Sequence, residues 1–168
     1  MSKTIFYLPN DKKLKISFEV IELMFSYAQD SFAALESGGI LIGRILESTS
    51  DYVIDVASTP MLKDIQARSS FKRDAEDHQE FFDKHWVLQE GRCFYLGEWH
   101  THPEKVPRPS QIDVRGWKEL LNAEIQDQMT LFFIIVGTQQ LIVWHGCIVN
   151  CRIRITRLGH IRRNEIIY

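Results

Sequence analysis

Apolar residues in this chain recur with two periods, and the points where one gives way to the other predict its elements. Thr4 to Leu8 and Leu14 to Ile16 read as short strands around the turn-forming Pro9-Asn10-Asp11. Ser17 is placed to cap a helix in which Ile21, Met24, Phe25, Ala28 and Phe32 share one face, leaving Glu22, Ser26 and Gln29 on the wet side. The pattern carries that helix to about Glu36, where Gly38-Gly39 stop it and Ile40 to Leu46 begins a strand. Tyr52 to Ala57, alternating and rich in β-branched residues, is the expected hairpin partner.

Thr59 to Arg73 has no clear period and is expected to be mostly loop, with one short strand over Ser70 to Lys72. His78, Phe81, Phe82, His85 and Trp86 then form a stripe that predicts a helix from about Ala75 to Gln89, ended by Gly91. Cys93 to His102 is the next strand. Three prolines keep Pro103 to Pro109 extended and stiff, after which Ser110 opens a third helix with Val114, Trp117, Leu120 and Leu121 on one face. The uniformly apolar Leu131 to Val136 predicts a central strand covered on both sides, and Leu141 to His145 and Ile148 to Ile155 complete the sheet. The expected class is α/β: one domain over residues 1–168, a mixed sheet flanked by helices.

Composition narrows the partners. With 168 residues, 45% of them hydrophobic, the chain can bury one full core. A net charge of -2 lacks the basic field of nucleic-acid binders, so a protein or small molecule is the expected partner, with neither nucleic acid nor membrane involved. Met1 to Asp11 holds no long apolar stretch and Leu131 to Val136 is too short to span a bilayer, which gives a cytoplasmic location as the expectation. Cys93, Cys147 and Cys151 fit neither a disulfide framework nor a CxxC pair and are expected to be reduced and mostly buried.

The chemistry lies in one run. His100 and His102 stand two apart on a predicted strand, so both imidazoles share a face. Asp113, in the first turn of the helix opened by Ser110, can fold back over the strand end. Two histidines and an aspartate leave one tetrahedral position open, the pattern of a catalytic zinc site with one ion per chain. A plainer reading competes, because Ser110-x-x-Asp113 is also a helix capping box and paired histidines also occur in cores. The joint string His-x-His-Pro-x6-Ser-x2-Asp would arise by chance in roughly 2 of 100,000 chains of this composition, which favours the metal. A base is needed beside it, and Glu98, sharing the histidine face by alternation, competes with the remote Glu36.

At this point the residues resemble the JAMM (MPN-plus, JAB-domain) metallopeptidases. Their signature, an upstream glutamate followed by His-x-His-Pro-x6-Ser-x2-Asp, is filled by Glu36, His100, His102, Pro103, Ser110 and Asp113, and Glu36 to Gly43 matches the usual Glu-x-x-Gly-x-Leu-x-Gly context. The resemblance spans about Phe18 to His145 and implies a mixed sheet between helices, related to the cytidine deaminase fold. It implies zinc on His100, His102 and Asp113, Glu36 as acid and base through the zinc water, and Ser110 as donor to the oxyanion. Glu98 then becomes a supporting neighbour.

The phrase Gly-Glu-Trp-His-Thr-His-Pro is similar to stand-alone bacterial members found in anti-phage operons beside a nucleotide cyclase. The resemblance thus implies a deubiquitinase-like isopeptidase acting on a ubiquitin-like protein or its conjugate, with the cyclase one target. Eukaryotic relatives grip ubiquitin with insertions for which this chain has little room. Two other classes compete: a non-catalytic MPN-type interaction module, which would lack the ligands, and a nucleobase deaminase, which would need the absent Pro-Cys-x-x-Cys. A basic end, Arg152, Arg154, Arg157, Arg162 and Arg163, reads as a solvated face or as a dock for an acidic protein surface.

Overall fold

Leu131 to Val136 sits, as its unbroken apolar character requires, in the middle of the sheet. The computed structural model describes residues 4–123 and 130–166; the ends of the expected 1–168 unit lie outside the described residues. Eight strands form the main sheet: β1 (Ile5–Tyr7), β2 (Lys13–Ile16), β3 (Gly38–Ile45), β4 (Tyr52–Ala57), β7 (Phe94–Thr101), β8 (Thr130–Val136), β9 (Gln140–Val149) and β10 (Arg152–Arg162). Their order is β1-β2-β4-β3-β7-β8-β9-β10, antiparallel except for the β2/β4 and β7/β8 pairs. A separate hairpin, β5 (Ile65–Ala67) and β6 (Ser70–Lys72), stands off the sheet.

Helix α1 (Phe18–Ser26), capped by Ser17, covers one face with Val20, Ile21, Met24 and Phe25 against Leu41, Ile54, Phe132, Ile134 and Val136. Helix α3 (Gln111–Ala123) covers the other, where Trp117 stacks on Phe133 at 4.7 Å and packs with Leu121, Ile135 and Trp144. Alternation along β8 thus feeds both cores in turn. Helix α2 (Ala75–Leu88) lies on the α3 side, its Phe81 and Phe82 on Ile40 and Ile42 of β3.

Five expectations are corrected. The first helix stops at Ser26 rather than near Glu36: Ser26 Oγ bonds Leu23 O, the chain turns through Tyr27 and Ala28, and the supposed stripe residue Phe32 is 84% exposed while the supposed wet residue Gln29 is buried. A loop had competed successfully with the helix because the Gln29 carboxamide satisfies backbone carbonyls there. Gly38 and Gly39 open β3 instead of merely ending a helix; a Cβ on Gly39 would lie 2.2 Å from Ser58 O. Thr59 to Arg73 holds two paired strands, not one.

The last two strands divide at residues 150 and 151 rather than before 148, with Asn150 and Cys151 both at positive φ in a tight hairpin turn whose twist suits the flanking strands. Cys151 is therefore exposed, Cys147 half-buried and only Cys93 buried. Arg152 and Arg154 are exposed, alternating with the half-buried Ile153 and Ile155 that pack towards α3. Among the described residues no helix is long and apolar enough to cross a membrane.

Candidate metal centre

A β-bulge aims the histidines. Leu96 and Trp99 both enter the α1-side core although three positions apart, which simple alternation forbids. The ladder between β3 and β7 slips between Leu41/Gly97 and Ile42/Tyr95, and Gly97 adopts φ +133 where a Cβ would fall 1.8 Å from Phe132 O. That extra residue rephases the strand, so Trp99 and Thr101 turn to α1 while Glu98, His100 and His102 face the α2/α3 side.

Asp113 reaches the same point from α3. Its amide donates to Ser110 Oγ (3.1 Å), and its Oδ2 accepts from Ser110 N (2.6 Å), a complete capping box. The same carboxylate lies 3.2 Å from His100 Nε2 through Oδ1 and 3.4 Å from His102 Nε2 through Oδ2. Glu36 arrives from the loop before β3, its amide bonded to Ala67 O of β5 (2.7 Å) and its buried Oε1 at 3.9 and 4.0 Å from the two imidazole nitrogens.

These distances separate the carboxylates. The histidine nitrogens are 3.1 Å apart, and the Asp113 carboxylate meets both, Oδ1 3.2 Å from His100 and Oδ2 3.4 Å from His102. Donors about 2.0–2.1 Å from a tetrahedral zinc lie about 3.3–3.4 Å from one another, so the contacts among the imidazoles and the Asp113 carboxylate are close to such an edge, whereas Glu36 Oε1 is set back beyond it from both nitrogens. Glu36, His100 and His102 also group within 4.8 Å as potential ligands, but the longer Glu36 distances make Asp113 the better third donor.

Electrostatics agree with the geometry. Burial opposes ionisation of Asp113, yet hydrogen bonds from His100 and His102 prevail and hold its carboxyl far below the usual carboxylate range. Burial raises the Glu36 carboxyl despite the pull of both imidazoles, with Asp113 adding to the rise. Burial would lower His102, but the Asp113 hydrogen bond and charge raise it.

Around these residues lies a cleft of about 800 Å³ between the β5–β6 hairpin and α3, lined by Ser70, Phe71 and Lys72 on one side and Ile112, Gly116 and Leu120 on the other. Phe71 lies over Gly38, where a Cβ would sit 2.7 Å from its ring. The hairpin's three-residue strands were too short for periodicity to reveal both. Glu98 lines the cleft but pairs with Arg73 at 3.2 Å, a partner the sequence reading missed because the two are distant in the chain. All five expected residues, Glu36, His100, His102, Ser110 and Asp113, line the one cleft, whereas Cys147 and Cys151 lie at the β9–β10 turn.

Comparison with known proteins agrees with this arrangement. Residues 19–152 match the family of prokaryotic homologues of the JAB domain. A protein of Escherichia coli (strain TW11681) named CD-NTase/cGAS isopeptidase is 36% identical over 146 residues, covering 87% of this chain and 88% of its own. A Vibrio cholerae protein of the same name is 31% identical over 84% of this chain and 86% of its own. A probable metalloprotease of Sinorhizobium fredii is 29% identical over 67% and 68%. With the histidine pair, the glutamate and the capped aspartate gathered in one cleft, the chain belongs to the prokaryotic JAB-domain family.

Proposed function

We propose that this chain, as one JAB unit, is a zinc-dependent isopeptidase that cuts the amide bond after the C-terminal tail of a ubiquitin-like protein and frees it from a conjugated target. The observation that carries this reading is the gathering of His100, His102 and the Asp113 carboxylate at 3.1–3.4 Å, with the buried Glu36 carboxylate 3.9–4.0 Å from both imidazole nitrogens. The relatives' name makes a CD-NTase the expected target.

His100, His102 and Asp113 would hold the ion, and a zinc there supplies a Lewis acid for the scissile carbonyl and makes water nucleophilic near neutral pH. Glu36 takes a proton from the attacking water and delivers it to the departing amine nitrogen as the C–N bond breaks. Burial raises the Glu36 carboxyl, which strengthens it as the base that accepts the water proton. Ser110 Oγ is held as acceptor by the Asp113 amide, which leaves its hydroxyl hydrogen for the oxygen that gains charge in the tetrahedral intermediate. The cleft between hairpin and α3 admits an extended tail and keeps the reacting bond beside Glu36.

Incubation with ubiquitin-like fusions and isopeptide-linked conjugates, with and without a chelator, tests the reading. Cleavage after the carrier's terminal residue that chelation stops and zinc restores is expected. Cleavage that survives chelation, or none on any carrier by metal-loaded protein, overturns it.

A further inference from the structure

Among the described residues the Glu36 carboxylate has no hydrogen bond of its own, so its aim depends on how its main chain is held. That main chain is clamped from two sides. From β5, Ala67 O accepts the Glu36 amide (2.7 Å), and Gln66 Nε2 donates to Glu36 O (3.0 Å) and Ser37 Oγ (3.1 Å). From β7, Thr101 exchanges two bonds with Ser37: its Oγ1 accepts the Ser37 amide (2.9 Å) and its amide donates to Ser37 O (2.8 Å). Thr101 stands between His100 and His102 with its side chain on the opposite face, so this bond ties the base to the strand that carries both imidazoles.

Gln29 closes the circuit. Its Oε1 accepts from Thr101 Oγ1 (3.0 Å), and its Nε2 donates to Ala34 O and to Arg68 O at the tip of the hairpin. Gln29 and Thr101 are 3% and 0% exposed, and burial of that depth is tolerable for polar groups because their hydrogen-bonding capacity is used. A carboxamide that reaches three separate segments does more than fill space.

We propose that Gln66, Thr101 and Gln29 are positioning residues for the Glu36 base, and that Gln66 acts from the hairpin lining the cleft, so that a substrate held against β6 steadies the glutamate that takes the proton of the attacking water. This rests on the isopeptidase reading and adds to it a route from substrate contact to the base. None of the three touches the reacting atoms; they act through the Glu36 and Ser37 backbone.

The test uses Gln66→Met, which keeps length without donors, and Thr101→Val against Thr101→Ser, which removes or keeps the hydroxyl. In Gln66→Met and Thr101→Val, kcat on a conjugate should fall about 10–100-fold with KM and bound zinc unchanged, while Thr101→Ser stays near wild type. Independently of activity, NMR amide exchange at Glu36 and Ser37 should quicken at least about tenfold in Gln66→Met while β8 amides keep their protection. Unchanged kcat, or a loss that follows zinc content or KM, overturns the proposal. Should wild type cut no conjugate, the isopeptidase reading falls alone; exchange at Glu36 and Ser37 still decides the clamp, and unchanged protection there overturns it.

Discussion

His145 should make the fold sensitive to mild acid. Its ring, 3% exposed, packs against Phe132 at 5.7 Å, and neither nitrogen has a hydrogen-bond partner among the described residues. Burial lowers its pKa from an ordinary 6.5 to about 4. Above 6.5 the imidazole is neutral whether the chain is folded or not, and its full contribution to stability is present. Between 6.5 and 4 the unfolded chain takes up a proton that the native protein refuses, so stability falls with pH.

At 1.36 kcal/mol per unit, the shift from 6.5 to about 4 amounts to about 3 kcal/mol in all, of which about 2 kcal/mol is lost between pH 7 and 5. For a chain of this size that lowers Tm by about 4–8 °C. Other groups titrate in the same range, so the measurement is a comparison: thermal or urea unfolding of metal-free wild type and His145→Leu at both pH values. Leucine fills a similar volume and has nothing to protonate, so the variant should lose about 2 kcal/mol less than wild type over that interval. Equal losses in the two proteins would refute the assignment of a buried, unpartnered and neutral imidazole.

Further outcomes are expected at the site. Glu36→Ala should keep bound metal and lose cleavage, whereas His102→Ala should lose both, read by elemental analysis beside a cleavage assay. Glu98→Ala should cost less than about tenfold in kcat/KM, because Glu98 is paired with Arg73 at a half-exposed position; a loss equal to that of Glu36→Ala would make Glu98 the base. Gly97→Ala should lower unfolding stability by at least about 2 kcal/mol, since a Cβ there meets Phe132 O in a φ that alanine avoids. Ser110→Gly should cost only a few tenths of a kcal/mol in stability but about 100–1000-fold in kcat, glycine being a tolerable cap with no hydroxyl to donate; an unchanged kcat would leave Ser110 as a cap alone.

Strong local signals carried most of the fold. Alternation placed β4, an unbroken apolar run placed β8, a serine cap and helical spacing placed α3, and the joint spacing of His100, His102, Ser110 and Asp113 named residues that line one cleft. What stayed hidden depends on partners far along the chain. Gln29 reads as a helix-surface residue until Thr101 and Arg68 arrive to bury it. Glu36 looks like the end of a helix because the residues that hold its loop, Gln66 and Ala67, belong to a hairpin whose strands are shorter than two periods of alternation. Alternation alone also favoured Glu98 as the base, correctly placing it on the histidine face, but could not see Arg73 engaging it.

The two readings of Ser110 and Asp113, capping box and metal site, are compatible in one arrangement. A free aspartate at the start of a helix has several rotamers and would have to be ordered before it could serve as a ligand. Here the Ser110 amide fixes Asp113 Oδ2 at 2.6 Å, and the reciprocal bond from the Asp113 amide to Ser110 Oγ fixes where the helix begins. The carboxylate is thereby aimed at the His100 and His102 nitrogens by bonds that a capping box makes for the helix's own stability. Helix capping and the proposed ligand role of Asp113 therefore draw on the same atoms, so a capping motif beside a His-x-His strand does not count against a metal site.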